Sequence, residues 1–169
     1  ADEDEPVLGI ERNSVRILEM CVVALDCPHG LLCPGRLLAI NLYNYVDKPF
    51  TAEASFDSGL FISHVHKAQR IMDDIIDLEL EKIDRILTKI DKDPEGDDIK
   101  ARERNMWLNI KKKAIEGRRT GFGITAEGDM LAALGTRYGT DEATDFSVEV
   151  HKILTIEAYR SSVLMARER

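Results

Sequence analysis

The stretch EGRRTGFGITAEGDMLAALG, from Glu116 to Gly135, decides how the chain folds on either side of it. Its first half is a basic pair followed by a glycine-rich run. This half predicts a tight backbone passage with at most a short strand near residues 119–124. Its second half predicts a helix over about residues 125–134, with Thr125 as the N-cap and acidic residues in the first turn. Gly135 is expected to end this helix, because glycine adopts the left-handed conformation without steric cost.

The composition places the chain among ordinary soluble proteins. Hydrophobic residues make up 44% and charged residues 32% of its 169 residues, which is typical of one domain with a substantial core. The net charge of −8 disfavours nucleic acid and anionic membranes as partners, since both would repel it. No apolar run reaches the roughly 20 residues that cross a bilayer, and the start is acidic where a signal peptide is basic. Three cysteines, an odd number, give no disulfide framework. We therefore expect a cytoplasmic protein that binds neither nucleic acid nor membrane.

Apolar residues that recur every three or four positions predict a mainly α fold. The longest stripe predicts a helix over about residues 58–91, either unbroken or with a break or bend near Leu78, where the stripe drifts. Two further helices are predicted over about 98–116 and 141–168, the last with Thr140 as its cap. The side chains expected to face the core are Phe61, Val65, Ala68, Met72, Ile76, Leu80, Ile83, Leu87 and Ile90 in the first helix, Ile99, Trp107, Ile110 and Ala114 in the second, and Phe146, Val150, Ile153, Leu154, Ile156 or Glu157, Tyr159, Val163 and Met165 in the last.

The rest of the chain is organised around these helices. The acidic residues 1–9 are expected to form a disordered tail, which leaves residues 10–169 as a single mainly helical domain. Residues 26–35 hold two prolines and two glycines and predict a loop. The apolar segments near 15–25 and 36–46 predict buried elements that are at most short strands, because periodicity alone does not decide their type.

Three cysteines and a histidine lie close together in the sequence. Cys21, Cys27, His29 and Cys33 are types of residue that bind zinc, although their spacing lacks the paired C-x2-C of common zinc modules. Cys27 and Cys33 could instead exchange a disulfide reversibly across a flexible loop. Buried or incidental thiols are the plainest interpretation. We therefore expect no metal site and keep this cluster as a weaker alternative.

The glycines at 121 and 123 follow a basic pair and precede a helix start, an arrangement that can bind phosphate. However, the run lacks the lysine of a phosphate-binding loop, and Glu127 and Asp129 would repel an anion. Glycines that allow close backbone packing are the favoured interpretation.

Two other polar groups on the long helix suggest no site. The carboxylates of Asp73, Asp74, Asp77, Glu79 and Glu81 are expected on a solvated helix face. His64 and His66 are two residues apart and so lie on different faces, where they cannot bind one ion. We expect both histidines to be partly exposed.

Residues 119–135 resemble the passage G-[LVF]-G-[VI]-x-G-x-[AG]-D-x-L-x-x-L-G of the large catalytic chains of ribonucleotide reductases. Residues 36–46 resemble the C-R-L-x-A-I-N-L segment of that family, and residues 68–77 resemble its A-x-R-x-x-D-x-x-I-D helix. Residues 138–143 and 157–162 continue the resemblance in the same order. The likeness covers most of the chain.

The resemblance implies a fold and an activity. Ile124 to Leu131 are most similar to the adenosylcobalamin-dependent class II branch, which implies that cofactor, although none is expected for the isolated chain. The family builds a ten-stranded α/β barrel around a radical cysteine and reduces the ribose 2′-hydroxyl of a nucleotide. The predicted fold is therefore a mainly helical segment related to part of that barrel.

The sequence departs from the family at the catalytic cysteines. The radical cysteine belongs to an N-P-C-x-E motif, of which Cys27 matches the cysteine alone. The reducing cysteine of C-R-L is replaced by Gly35, and Cys33 stands two residues earlier. Cys27 and Cys33 are therefore the candidate catalytic residues, and cofactor-binding residues are not identified.

Two hypotheses follow. The first is a segment or split chain of a ribonucleotide reductase, inactive alone and working with a nucleotide substrate and a complementary half. The second is a non-catalytic helical paralogue that binds a partner or ligand. Either hypothesis leaves apolar surface uncovered, so we expect a homo-oligomer.

Overall fold

The computed structural model describes residues 21–25 and 35–168. The elements in these residues are β1 (Cys21–Leu25), β2 (Gly35–Asn41), a 3-10 helix (Leu42–Tyr45), β3 (Val46–Asp47), β4 (Ser55–Phe56), α1 (Ser58–Lys92), α2 (Asp97–Gly117), β5 (Thr120–Thr125), α3 (Glu127–Ala133) and α4 (Asp141–Glu168). The described part of the chain is mainly helical with short strands, which confirms the predicted fold class.

The three longer strands form one sheet in the order β1-β2-β5. β1 is antiparallel to β2, and β2 is parallel to β5 in a register that runs from Arg36↔Thr120 to Asn41↔Thr125. Two parallel neighbours cannot be joined by a tight turn, so a long crossover must connect them. In this chain α1 and α2 are that crossover. β3 and β4 form a separate two-residue pair, with Val46 opposite Phe56.

α1 is one continuous helix of 35 residues, about 50 Å long. Asp57 caps it, because its Oδ1 accepts a hydrogen bond from the backbone N–H of Leu60 at 2.8 Å. The helix is unbroken at Leu78, so the alternative of a break there is wrong. Leu78 is 62% exposed, since the apolar stripe passes it on the other side of an unbroken helix.

The main core lies between one face of the sheet and the inward faces of α1, α3 and α4. Leu38 and Ile40 of β2 are buried in it, and Phe122 and Ile124 of β5 pack against it. The helices contribute Phe61, Val65, Ala68, Met72, Met130, Leu131, Ala133, Val150 and Leu154. Since side chains alternate along a strand, the other positions of β2 and β5 face away from the helices.

A second, smaller core joins the outer half of α1 to α2. Ile83 and Leu87 pack there with Ile110, and Trp107 covers them. The inward position predicted for Ile99 is wrong: this side chain is 45% exposed, because it lies at the start of α2, beyond the small cluster. The helical hairpin therefore has its own apolar contacts, separate from those of the sheet.

Over the second half of α4, the inward positions predicted for Glu157 and Met165 are confirmed, and those predicted for Tyr159 and Val163 are wrong. Tyr159 and Val163 are exposed, whereas Glu157 and Ser161 are buried. The reason is polar: both buried side chains bond to His66 of α1, and these bonds fix the rotation of α4.

The start of α3 also differs from the prediction. Thr125 is the last residue of β5 and pairs with Asn41, so it cannot cap the helix. Ala126 occupies the cap position in a left-handed conformation, with φ 59° and no capping side-chain bond. At the other end Gly135 has φ 76°, and Thr136 N–H donates to the Leu131 oxygen as in a Schellman motif. The expected role of Gly135 is confirmed.

Several expectations concern residues outside the described ones. These are the tail over residues 1–9, the apolar residues 15–20 and the loop over residues 26–34. Gly35, assigned to that loop from the sequence, is the first residue of β2. No helix in the described ranges is long and apolar enough to cross a membrane.

Replacing Gly135 with alanine should lower the free energy of unfolding by about 1 kcal/mol, because a side chain in left-handed backbone crowds the neighbouring carbonyl. The matched control is Gly128→Ala inside α3, where the added Cβ meets nothing within 4 Å. That change should raise the free energy by about 0.5 kcal/mol, since alanine favours helix. Urea unfolding measures both variants, and effects of the same sign would contradict the assignment.

Candidate functional site

The face of the sheet turned away from the helices is the first candidate surface. We call it the open face and define it by Leu37, Ala39, Gly121 and Gly123, which alternate with the core residues of β2 and β5. A Cβ at Gly123 would meet only the backbone oxygen of Leu38, at 4.0 Å, and its φ lies outside the left-handed region. Neither the backbone nor a described neighbour therefore requires glycine there. Glycine weakens a strand unless something must approach closely, so the open face fits a close neighbour from outside these residues.

The beginning of β2 lies beside the end of β1. Leu25 and Gly35 are paired across the two antiparallel strands, and Cys21 pairs with Ala39 at the other end of the ladder. Cys27 and Cys33, the candidate catalytic residues, lie outside the described residues, and each is two residues along the chain from the Leu25–Gly35 pair.

The weaker metal hypothesis stays untested for the same reason. Of Cys21, Cys27, His29 and Cys33, only Cys21 falls in a described strand. Elsewhere in residues 21–25 and 35–168, no three His, Cys, Asp or Glu side chains come together as metal ligands.

A charged cluster holds the start of β5 against α1. Arg118 donates from Nε to Asp73 Oδ1 at 2.7 Å and from Nη1 to Asp77 Oδ1 at 2.8 Å. Its backbone is left-handed, with φ 37°, and ends α2 by donating its N–H to the Ala114 oxygen at 3.0 Å. A non-glycine residue keeps such a conformation only where its surroundings hold it, and the two carboxylates do so.

This cluster corrects two sequence expectations. The solvated position predicted for Asp73 is wrong: this residue is only 8% exposed, because Arg118 covers it. The hydrogen bonds that Arg118 donates, first to Asp73 and then to Asp77, raise the pKa of Arg118 above its ordinary value. Two carboxylates also neutralise this guanidinium, so the geometry favours the packing interpretation of the glycine-rich run over phosphate binding.

Gln69 continues the polar contact between α1 and β5. Its Nε2 donates to Thr120 Oγ1 at 3.1 Å. Two adjoining clefts of about 330 and 280 Å³ share Gln69, Thr120 and Ser162, and α4 forms their outer wall. No sequence pattern indicated this contact, since its two partners are 51 residues apart.

The histidines of α1 serve the packing of the helices. His66 Nε2 lies 2.7 Å from Glu157 Oε2, and Arg160 Nη1 donates to the other oxygen of Glu157 at 2.7 Å. His64 is 3% exposed and its Nδ1 lies 3.0 Å from the hydroxyl of Tyr45. The expectation that both histidines are surface residues is therefore wrong for His64.

A third concave region lies where β2 and β5 both end. We call it the edge cleft and give its volume as about 320 Å³. Its lining residues are Asn41, Tyr43, Phe50, Ala126, Asp129 and Ala132. In parallel α/β sheets, ligands bind outside the carboxyl ends of the strands, so its position is that of a functional site. The sequence did not reveal it, because the lining comes from segments up to 91 residues apart that meet only through strand pairing.

Comparison with known proteins identifies the family to which the chain belongs. Residues 32–169 match the family model described as "Ribonucleotide reductase, barrel domain". No curated protein and no solved structure matched in the two other comparisons. The match spans well over half of the chain, which therefore belongs to the family of ribonucleotide reductase large chains.

Replacing Arg118 with alanine should lower the free energy of unfolding by about 2 kcal/mol, because the buried carboxylate of Asp73 loses its cation. The matched control is Arg85→Ala. Arg85 is 77% exposed in its side chain and 3.9 Å from Glu81, so its loss should change stability by less than about 0.5 kcal/mol. Equal effects of the two changes in urea unfolding would contradict the structural role of Arg118.

Proposed function

We propose that this chain forms part of the barrel wall of a working ribonucleotide reductase, in which other barrel segments complete the active site. The observation that carries the proposal is the open face. Its two strands are parallel, helices cover its other side, its side chains at Ala39, Gly121 and Gly123 are small, and Gly123 leaves room against it. Parallel strands in α/β barrels are normally buried on both faces, so this face suits the inside of a barrel.

The proposed reaction converts a ribonucleotide to a deoxyribonucleotide. The 2′-hydroxyl leaves as water, hydrogen takes its place, and two cysteine thiols are oxidised to one disulfide. We propose Cys27 and Cys33 as these thiols, so that Cys27, although it matches the radical cysteine of the family motif, would here serve as one of the two reductants. The support is their position, each two residues from the paired Leu25 and Gly35. Two residues of chain span at most about 7 Å, and the paired strands from which they extend lie about 5 Å apart. The Cα atoms of the two cysteines can therefore come as close as a disulfide requires.

Adenosylcobalamin is proposed for the assembled reductase only. The three clefts described above measure about 280 to 330 Å³, far too small for a corrin ring with its side chains. We therefore assign none of these residues to the cofactor. The proposal of class II chemistry is supported only by the resemblance of residues 124–131 to that branch.

The direct test measures deoxynucleotide formation by this chain assembled with the other segments of the barrel, with a dithiol reductant and with or without adenosylcobalamin. Cys27→Ser and Cys33→Ser should each lower turnover at least 100-fold, because serine cannot form a disulfide. Cys21→Ser is the control, since Cys21 lies within β1, and it should retain activity.

The same assay separates the alternatives. Full activity in both serine variants would contradict the assignment of the thiols. Nucleotide binding without turnover in the unaltered assembly would favour the second hypothesis, a non-catalytic binding module. Activity without adenosylcobalamin would overturn the proposed class.

The open face has its own test, a graded series at Gly123. Alanine and then valine should lower turnover progressively as the side chain fills the space against the sheet. Stability should stay within about 0.5 kcal/mol or rise for valine, because the added Cβ meets only the Leu38 oxygen at 4.0 Å and valine favours strands. Full activity of Gly123→Val would show that nothing approaches this face closely.

We also propose that α4 makes a contact between copies of the chain. Val148, Ile156, Tyr159 and Val163 are 47 to 72% exposed and recur at helical spacing. Burial of such a stripe favours association. Light scattering should find an oligomer that Tyr159→Lys weakens, and a strict monomer would contradict the proposal.

A further inference from the structure

The edge cleft combines backbone strain with exposed aromatic surface. Phe50 and Ala126 both line it, and both are left-handed although neither is glycine, with φ 62° and 59°. Phe50 is fixed there because its N–H donates to the Ala133 oxygen at 2.8 Å, and Ala126 because its oxygen accepts from Met130 N–H at 3.0 Å. Non-glycine residues in this conformation cluster at ligand-binding sites.

The strained backbone holds an aromatic ring at the surface. Phe50 is 69% exposed, and its ring centroid lies 6.4 Å from that of Tyr43, at an interplanar angle of 41°. The small side chains of Ala126 and Ala132 leave the space between these rings and α3 open. The cleft therefore presents two tilted aromatic surfaces to a ligand.

The charge of the edge cleft is negative. Asp129 is the only charged residue that lines it, and no ion pair of Asp129 occurs among the described residues. The nearest basic side chain of the loop, Lys48, is engaged with Glu53. Aromatic rings beside a carboxylate attract cations, and a planar guanidinium can stack on a ring while it bonds to a carboxylate.

We propose that the edge cleft binds the guanidinium of an arginine side chain from another polypeptide segment. A residue within a chain suits it better than free arginine, because no cation lines the cleft to accept a free α-carboxylate. The cleft lies at the end of β2 remote from Gly35, about 20 Å along the strand. The site is thus separate from the proposed thiols, and its failure would leave the proposed reductase function unaffected.

The test is saturation-transfer NMR on the intact protein with N-acetyl-arginine amide as the probe. Saturation should be transferred from the protein to the side-chain methylenes of this probe. N-acetyl-citrulline amide has a side chain of the same length but no charge, and it should receive no saturation transfer. Asp129→Asn should weaken binding about tenfold or more, because it removes a charge-assisted bond. Phe50→Gly should weaken it about two- to fivefold through loss of the ring, while glycine keeps the left-handed loop unstrained.

Asp145→Asn on α4 is the matched control for the loss of one exposed carboxylate, and it should bind the probe like the unaltered protein. Equal binding of the arginine and citrulline probes, or unchanged binding by Asp129→Asn, would overturn the proposal. Tighter binding of free L-arginine than of the capped amide would overturn the assignment to a polypeptide source.

Discussion

The parallel pairing of β2 with β5 is the constraint on which the other elements depend. A parallel neighbour must be reached by a crossover, so the chain leaves β2 and returns only after two helices. The pairing also sends alternate side chains to opposite faces. Leu38 and Phe122 are directed to the helices, while Leu37 and Gly121 are directed away from them. One set builds the core, and the other leaves a surface that suits the inside of a barrel.

Polar contacts then decide how the helices sit on this sheet. Arg118 joins the end of α2 to two carboxylates of α1, and Gln69 joins the same helix to Thr120 of β5. Nearer the start of α1, His66 lies against Glu157 of α4. Apolar burial supplies most of the stabilisation but is not directional. These bonds are directional, and they select one rotation and one axial position for each helix.

The sequence predicted most of the helical structure, because helical periodicity is a local property. It failed where a distant segment decided the outcome. Thr125 is a good cap by type, yet pairing with Asn41 takes it into a strand. Asp73 has the pattern of a solvated carboxylate until Arg118, 45 residues away, is placed over it. The edge cleft could not be predicted for the same reason, since Tyr43 and Asp129 meet only after the sheet has formed.

Because α1 is divided between two apolar clusters, the α1–α2 hairpin can vary in length without disturbing the sheet. The inner half of the helix packs on the sheet, and among the described residues the outer half packs on α2 through Ile83, Leu87 and Ile110. Matched insertions of about seven residues, close to two turns, in both helices would restore the facing sides of the hairpin. The register of β2 and β5 would not change. The α1–α2 crossover can therefore lengthen or shorten by whole helical turns, and its length is independent of the strands that it connects.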